Sequence, residues 1–192
     1  MSVAPAFEIG LWNAWIFMVW LLVQNLAVMG SKKLYRRFGE ASDTKPSQIY
    51  KVLNFLSTLL WLLSTAYSIF LPLKLGTAWF PVGLAIFLLG LVIIAIATIN
   101  FATTPINGPV IKGVYRYSRH PMYAALILIY LGIGIASASW IFLLATIIWV
   151  VLLGISAKDE ERYCLEKYGP AYREYMDRTP RWLGIPKVVK SK

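Results

Sequence analysis

"MYAALILIYLGIGIASASWIFLLATIIWVVLLGISA", residues 122–157, contains no charged side chain. It consists of two apolar runs, 122–138 and 140–157, joined through "SAS". Each run is long enough, or nearly so, to cross a hydrocarbon core as a helix, which takes roughly 20 residues. A connection this short leaves antiparallel neighbours as the only geometry, so the stretch predicts a tight helical hairpin. Its two free ends then meet on one face. They read "SRHPMY", residues 118–123, and "SAKDEERYC", residues 156–164.

Working outward, three more uncharged stretches of similar length occupy residues 11–29, 52–73 and 79–100. With 58% hydrophobic residues, 15% charged and a mean hydropathy of +0.63, the chain falls outside the range of soluble domains. We therefore expect an all-α integral membrane protein with five transmembrane helices and a C-terminal cytoplasmic helical extension. The first stretch reads as a span rather than a cleaved leader, because no basic residue precedes it and Trp12, Trp15 and Trp20 interrupt its apolar core. No linker or internal repeat divides residues 1–192, so a single membrane domain is expected. The one cysteine, Cys164, excludes an internal disulfide and a Cys-rich metal site.

The net charge of +10 is unevenly spread. The first loop carries Lys32, Lys33, Arg36, Arg37, Lys45 and Lys51, the third Lys112, Arg116 and Arg119, and the tail from Lys158 nine more. The second loop has only Lys74, and the fourth none. Under five spans, eighteen of nineteen basic residues fall on one side, as the positive-inside bias requires for an N-terminus outside and a C-terminus in the cytoplasm. Orientation and anionic headgroups explain these charges better than nucleic acid does.

Beyond residue 157 the last span is expected to continue as helix through Asp159, Glu160, Glu161, Tyr163 and Leu165 and to stop near "YGP". Gly169 suits its end and Pro170 the first turn of a short amphipathic helix, "PAYREYMDR", with Tyr172, Tyr175 and Met176 on one face. "TPRWLGIP" then brings a tryptophan suited to the interface.

The hairpin sets His120, the chain's only histidine, and Tyr123 near Glu160 and Glu161. Two carboxylates, several tyrosine rings and a histidine at a membrane edge suit a ligand with a cationic portion, since carboxylates accept from ammonium groups and tyrosine faces attract sulfonium or quaternary nitrogen. Nearby arginines suit a carboxylate or phosphate. The loop "NFATTPINGPVIKG", residues 100–113, is placed to close over such a ligand.

"KGVYRYSRHPMYAA" followed by "KDEERYCLEKYGPAYREYMDRTPRWLGIP" resembles the C-terminal signature of the integral-membrane methyltransferases related to isoprenylcysteine carboxyl methyltransferase and phospholipid N-methyltransferase. The residues that carry the resemblance are Gly113, Tyr115, Arg119, His120, Pro121, Tyr123, Glu160, Glu161, Tyr168, Gly169, Tyr172, Tyr175 and Pro180. Ala125 stands where many members have glycine, and Cys164 where leucine is usual. The resemblance implies S-adenosylmethionine bound in the C-terminal half, residues 100–186, by Gly113, Tyr115, His120, Pro121, Tyr123, Glu160 and Glu161, with no metal.

Methyl transfer to a lipophilic acceptor at the cytoplasmic membrane face is the leading expectation. For a carboxylate acceptor an arginine, Arg119 or Arg173, orients it. For a phospholipid amine, Glu160, Glu161 or His120 takes the proton. Isoprenylcysteine, phosphatidylethanolamine, a quinone-like lipid and a small thiol stay open as acceptors. The competing readings are a sterol-reductase-like enzyme using NADPH and a non-enzymatic membrane scaffold. The absence of charge at mid-span speaks against a transporter. Asn13, Gln24, Asn25 and Asn54 are the most polar residues there, and helix–helix hydrogen bonding accounts for them.

Overall fold

The computed structural model describes residues 7–40, 48–105 and 108–187. Lys45 of the first loop, positions 106–107 of the 100–113 loop, and Lys190 and Lys192 of the tail lie outside the described residues. The helices are α1 (Trp15–Gly30), α2 (Lys32–Glu40), α3 (Gln48–Tyr67), α4 (Trp79–Thr103), α5 (Pro121–Ala136), α6 (Trp140–Tyr168) and α7 (Pro170–Arg178). Short 3-10 turns at Ser68–Phe70 and Gly113–Arg116 follow α3 and precede α5. Among the described residues no strand occurs beyond one isolated bridge between Asn13 and Pro72.

Three helical segments, Gln48–Phe70, Trp79–Thr103 and Trp140–Tyr168, are long and apolar enough to cross a membrane. Two shorter apolar helices, α1 and α5, have 16 residues each. At 1.5 Å per residue these reach about 24 Å, less than a hydrocarbon core of about 30 Å. The sequence expectation of five spans thus resolves into three full-length helices and two shorter ones. Helix α6, with 29 residues, runs about 44 Å, so its last nine or so residues extend beyond a core of that thickness. Those are the polar residues after Ala157.

The hairpin forms as expected. Ala138, at φ 51, turns the chain, and the Ser139 hydroxyl caps α6 by accepting from the Phe142 N–H at 3.3 Å. Ala14 N–H donates to Leu71 O at 2.8 Å, Leu73 N–H to Trp12 O at 2.9 Å and Lys74 N–H to Ala136 O at 3.0 Å. These bonds collect the start of α1, the end of α3, the start of α4 and the end of α5 at the hairpin-turn end of the bundle. The opposite end gathers α2, the start of α3, the end of α4, the start of α5 and α7. The basic residues among those described cluster there, except Lys74 at the turn end.

Helices α4 and α5 lie antiparallel with their backbones almost touching. A Cβ on Gly83 would sit 2.3 Å from Ala136 N, one on Gly132 2.6 Å from Phe87 N, and one on Gly90 2.9 Å from Ala125 O. Small residues supply the close packing that holds helices together where lipid is as apolar as any side chain. Gly132 of the "GIG" is part of this seam, Gly134 instead packs against Leu143 and Phe142 of α6, and Ala125 is fully buried beside the seam. On the other side, Trp149 Nε1 donates to Ser57 Oγ at 3.0 Å and ties α6 to α3. Tyr130 packs between Phe142 and Trp149 and shares a 3.1 Å hydrogen bond with Thr65. Of the polar residues expected to bridge helices, Asn13 instead ties the stretch before α1 together and to the 3-10 turn after α3, donating to Glu8 O and Ile69 O. Asn25 instead donates to Leu21 O in its own helix.

Gly132→Val places two methyl groups where no Cβ fits. It should cost about 2 kcal/mol or more and lower the thermal unfolding midpoint in detergent. Gly76→Ala, with nothing within 4 Å of its added carbon, should leave that midpoint unchanged.

Candidate functional site

Local sequence rules place the first wall of the site. Gly113 adopts φ +59, and a Cβ there would lie 2.1 Å from Asn100 Nδ2, so only glycine lets the loop close onto the end of α4. The turn that follows buries Tyr115 and brings Ser118 back to accept from the His120 N–H at 3.1 Å. His120 is the residue before the helix and Pro121 its first residue, where proline's missing N–H costs nothing.

The second wall is the projecting end of α6. The helix stops at Gly169, with φ 55 and ψ −129, and Pro170 opens α7. This helix folds back as a cap, burying Tyr172 and Tyr175. Tyr175 Oη donates to Tyr115 O at 2.7 Å, pinning the cap to the first wall.

Between the walls, the paired glutamates divide. Glu161 is buried, its side chain only 3% exposed, and it is held from three sides. Arg181 donates from Nε to Oε1 at 2.9 Å and from Nη2 to Oε2 at 2.7 Å. His120 Nε2 lies 3.1 Å from Oε1, and Arg119 Nε lies 3.4 Å from the same oxygen. Glu160, at 45% exposure, faces the cavity. Its Oε1 accepts from Tyr123 Oη, and its Oε2 lies 3.5 Å from His120 Nδ1.

Both histidine nitrogens therefore face carboxylates, an arrangement that suits the doubly protonated ring. Burial opposes a charge on His120, but hydrogen bonding to Glu160 and Glu161 outweighs it and raises its pKa above the ordinary 6.5. Burial likewise opposes the charge on Glu161. The bonds from His120 and Arg181 and the charge of Arg119 overcome this and bring its pKa down to about 2. Burial pushes the thiol of Cys164, which lines the cavity, up to about 11 and disfavours its thiolate. Burial also raises Tyr172 and Tyr175, which stay protonated donors.

A cavity of about 430 Å³ opens between the walls, within the size range of small-molecule sites. Tyr115, Arg119, His120, Pro121, Tyr123 and Glu160 line it, as the sequence suggested. Tyr163, Tyr168, Tyr172 and Tyr175 complete an aromatic enclosure, and Pro109 and Val110 of the preceding loop form part of its rim. Gly113 and Glu161 lie behind the wall. Arg173 is exposed on the outer face of α7 and does not line the cavity, because a residue next to inward-facing Tyr172 points about 100° away on a helix. Sequence reasoning missed Arg181, Tyr50 from the start of α3, Asp159 and Lys167. The arginine of "TPRW" was available as a signal only through its place in the motif.

The sign of the pH dependence follows from these shifts. The His120 contribution to stability is complete below about 6.5 and is lost as pH rises through its higher folded-state value. The Glu161 contribution is present above about 4.5 and is lost as pH falls toward about 2. The unfolding midpoint of the wild type should therefore decline on the alkaline side, and His120→Gln should flatten that decline, as thermal unfolding across a pH series will show.

The sequence model of the phospholipid methyltransferase family matches residues 75–171, just over half of the chain, from the start of α4 through the paired glutamates to the opening of α7. Comparison with curated proteins finds no match. The matched segment contains the α4–α5 seam, the hairpin and two walls of the cavity, and the chain belongs to the phospholipid methyltransferase family of membrane methyltransferases.

Proposed function

We propose that the protein transfers a methyl group from S-adenosylmethionine to a lipophilic acceptor at the cytoplasmic edge of the bilayer, and that residues 100–186 hold the cofactor. The observation that carries this reading is Glu160, a half-exposed carboxylate inside a tyrosine-walled cavity at the end of an apolar hairpin. The residues present fit such a cofactor. Carboxylate and ring faces favour a sulfonium and an ammonium, the aromatic enclosure favours an adenine, and Arg119 and Lys167 favour a carboxylate. When bound, the cofactor supplies an electrophilic methyl carbon for direct displacement.

In this account the chain's own residues bind, orient and exclude water. Tyr123 and His120 fix the Glu160 carboxylate, Arg119 faces the cavity, and α7 closes it. Glu161 positions His120 from behind the wall. For an amine acceptor, Glu160 takes the proton, because it is the one glutamate of the pair that faces the cavity. Membership of the phospholipid methyltransferase family favours a lipid amine over an isoprenylcysteine carboxylate. The acceptor's apolar part would enter past Tyr50, Phe101 and Met122, which line the cavity from α3, α4 and α5.

The clustering of basic residues at the site end supports a cytoplasmic site and an N-terminus on the far side. Under this orientation α1 and α5 complete five crossings, their shortness accommodated by local thinning of the bilayer.

Calorimetry with S-adenosylmethionine and its demethylated product on detergent-purified protein tests the reading. Saturable binding that Glu160→Ala weakens about tenfold or more is expected. A folded wild type that binds neither compound would overturn it.

A further inference from the structure

We infer that Arg181 is a positioning residue for the site, fixing the Glu161 carboxylate and, through it, the imidazole of His120. The inference rests on the proposed cofactor site, but its first readout does not depend on that site being occupied. Arg181 lies beyond the segment matched by the family model and does not line the cavity.

Arg181 reaches Glu161 because the chain after α7 is strapped across the first wall by backbone bonds. Arg119 N–H donates to Pro180 O and Gly184 N–H to Tyr117 O, each at 3.0 Å, while Lys187 N–H donates to Arg178 O at 2.8 Å and ties the strap back to the end of α7. Ser118 Oγ adds a bond to Arg181 O at 3.3 Å. The strap thus clasps the turn that carries Arg119 and His120. Trp182 adds a ring 6.2 Å from that of His120, and its edge rests 3.8 Å from where a Cβ on Gly154 would be.

Two parallel N–H bonds to one carboxylate fix both its position and its plane. Glu161 Oε1 is then held toward His120 Nε2, while the second ring nitrogen points at Glu160. The groups facing the imidazole are Glu160, Glu161, Tyr123 and Trp182, with Arg119 and Arg181 beyond Glu161. Arg119 alone does not replace Arg181. It meets Glu161 at 3.4 Å, and its Nε makes no hydrogen bond. A lysine carries the charge but not the planar fork, so the conservative replacement distinguishes geometry from charge.

Because His120 is the only histidine, isotope-labelled histidine reports on this one ring in the full-length protein in detergent. The wild type should give a single set of ring signals. Arg181→Gln should shift and broaden or split them, and Arg181→Lys should restore them only in part. Ring signals in Arg181→Gln that match the wild type would overturn the inference, with or without a bound cofactor.

Cofactor calorimetry supplies the second readout. Arg181→Gln should weaken S-adenosylmethionine binding about tenfold. The same change added to Glu161→Gln should cost little more, because the arginine acts through the glutamate. A full second loss in the double variant would contradict a role through Glu161. A wild type that binds nothing would sink the proposed function, and the ring signals would still decide the role of Arg181.

Discussion

A carboxylate taken out of water must be paired, and the burial of Glu161 imposes this condition on the whole polar end of the molecule. Its partners come from two separate parts of the chain: Arg119 and His120 from the turn before α5, and Arg181 from the strap after α7. Meeting the condition draws the start of α5, the end of α6 and the C-terminal strap into one body. Glu160, one position earlier on the helix, is left facing the cavity because its neighbour is committed elsewhere. Adjacent glutamates thus do different work: one holds the wall together and the other is available to a ligand.

The hydrocarbon core sets where this can happen. Helix α6 is longer than the core is thick, and its charged residues follow its apolar stretch. The α4–α5 seam and the Trp149–Ser57 bond hold the apolar portions together, and on that frame the polar chemistry is carried at one end. Tyrosine dominates the cavity, its rings forming apolar walls while hydroxyls bond within the protein, Tyr123 to Glu160 and Tyr175 to Tyr115 O.

What the sequence revealed was mostly local or forced by chain length. "SAS" requires the hairpin, runs of comparable length on either side of it bring His120 opposite the glutamates, and Gly169-Pro170 ends one helix and starts the next. Arg173, expected to orient an acceptor, instead points outward, as the helical spacing from inward-facing Tyr172 requires. Arg181 was not legible, since its partner is fixed by the path of a strap with no repeating pattern and other arginines lie nearby. Tyr50 was hidden for a different reason, because its place in the cavity depends on how α3 packs against α6. The length of α1 escaped because hydropathy marks the apolar run from residue 11 and not the turn before Trp15, whereas α5, Pro121–Ala136, lies close to the expected run 122–138.

Methyl transfer to a lipid, proposed for the cavity at the end of the hairpin, is open to a direct assay. Incubating the purified protein with isotopically methyl-labelled S-adenosylmethionine in phosphatidylethanolamine-containing vesicles, and extracting the lipid, tests it directly. Label in the lipid fraction, lost with Glu160→Ala, is the expected result. Label that stays with the water-soluble donor, across vesicles offering amine and carboxylate acceptors alike, would contradict it.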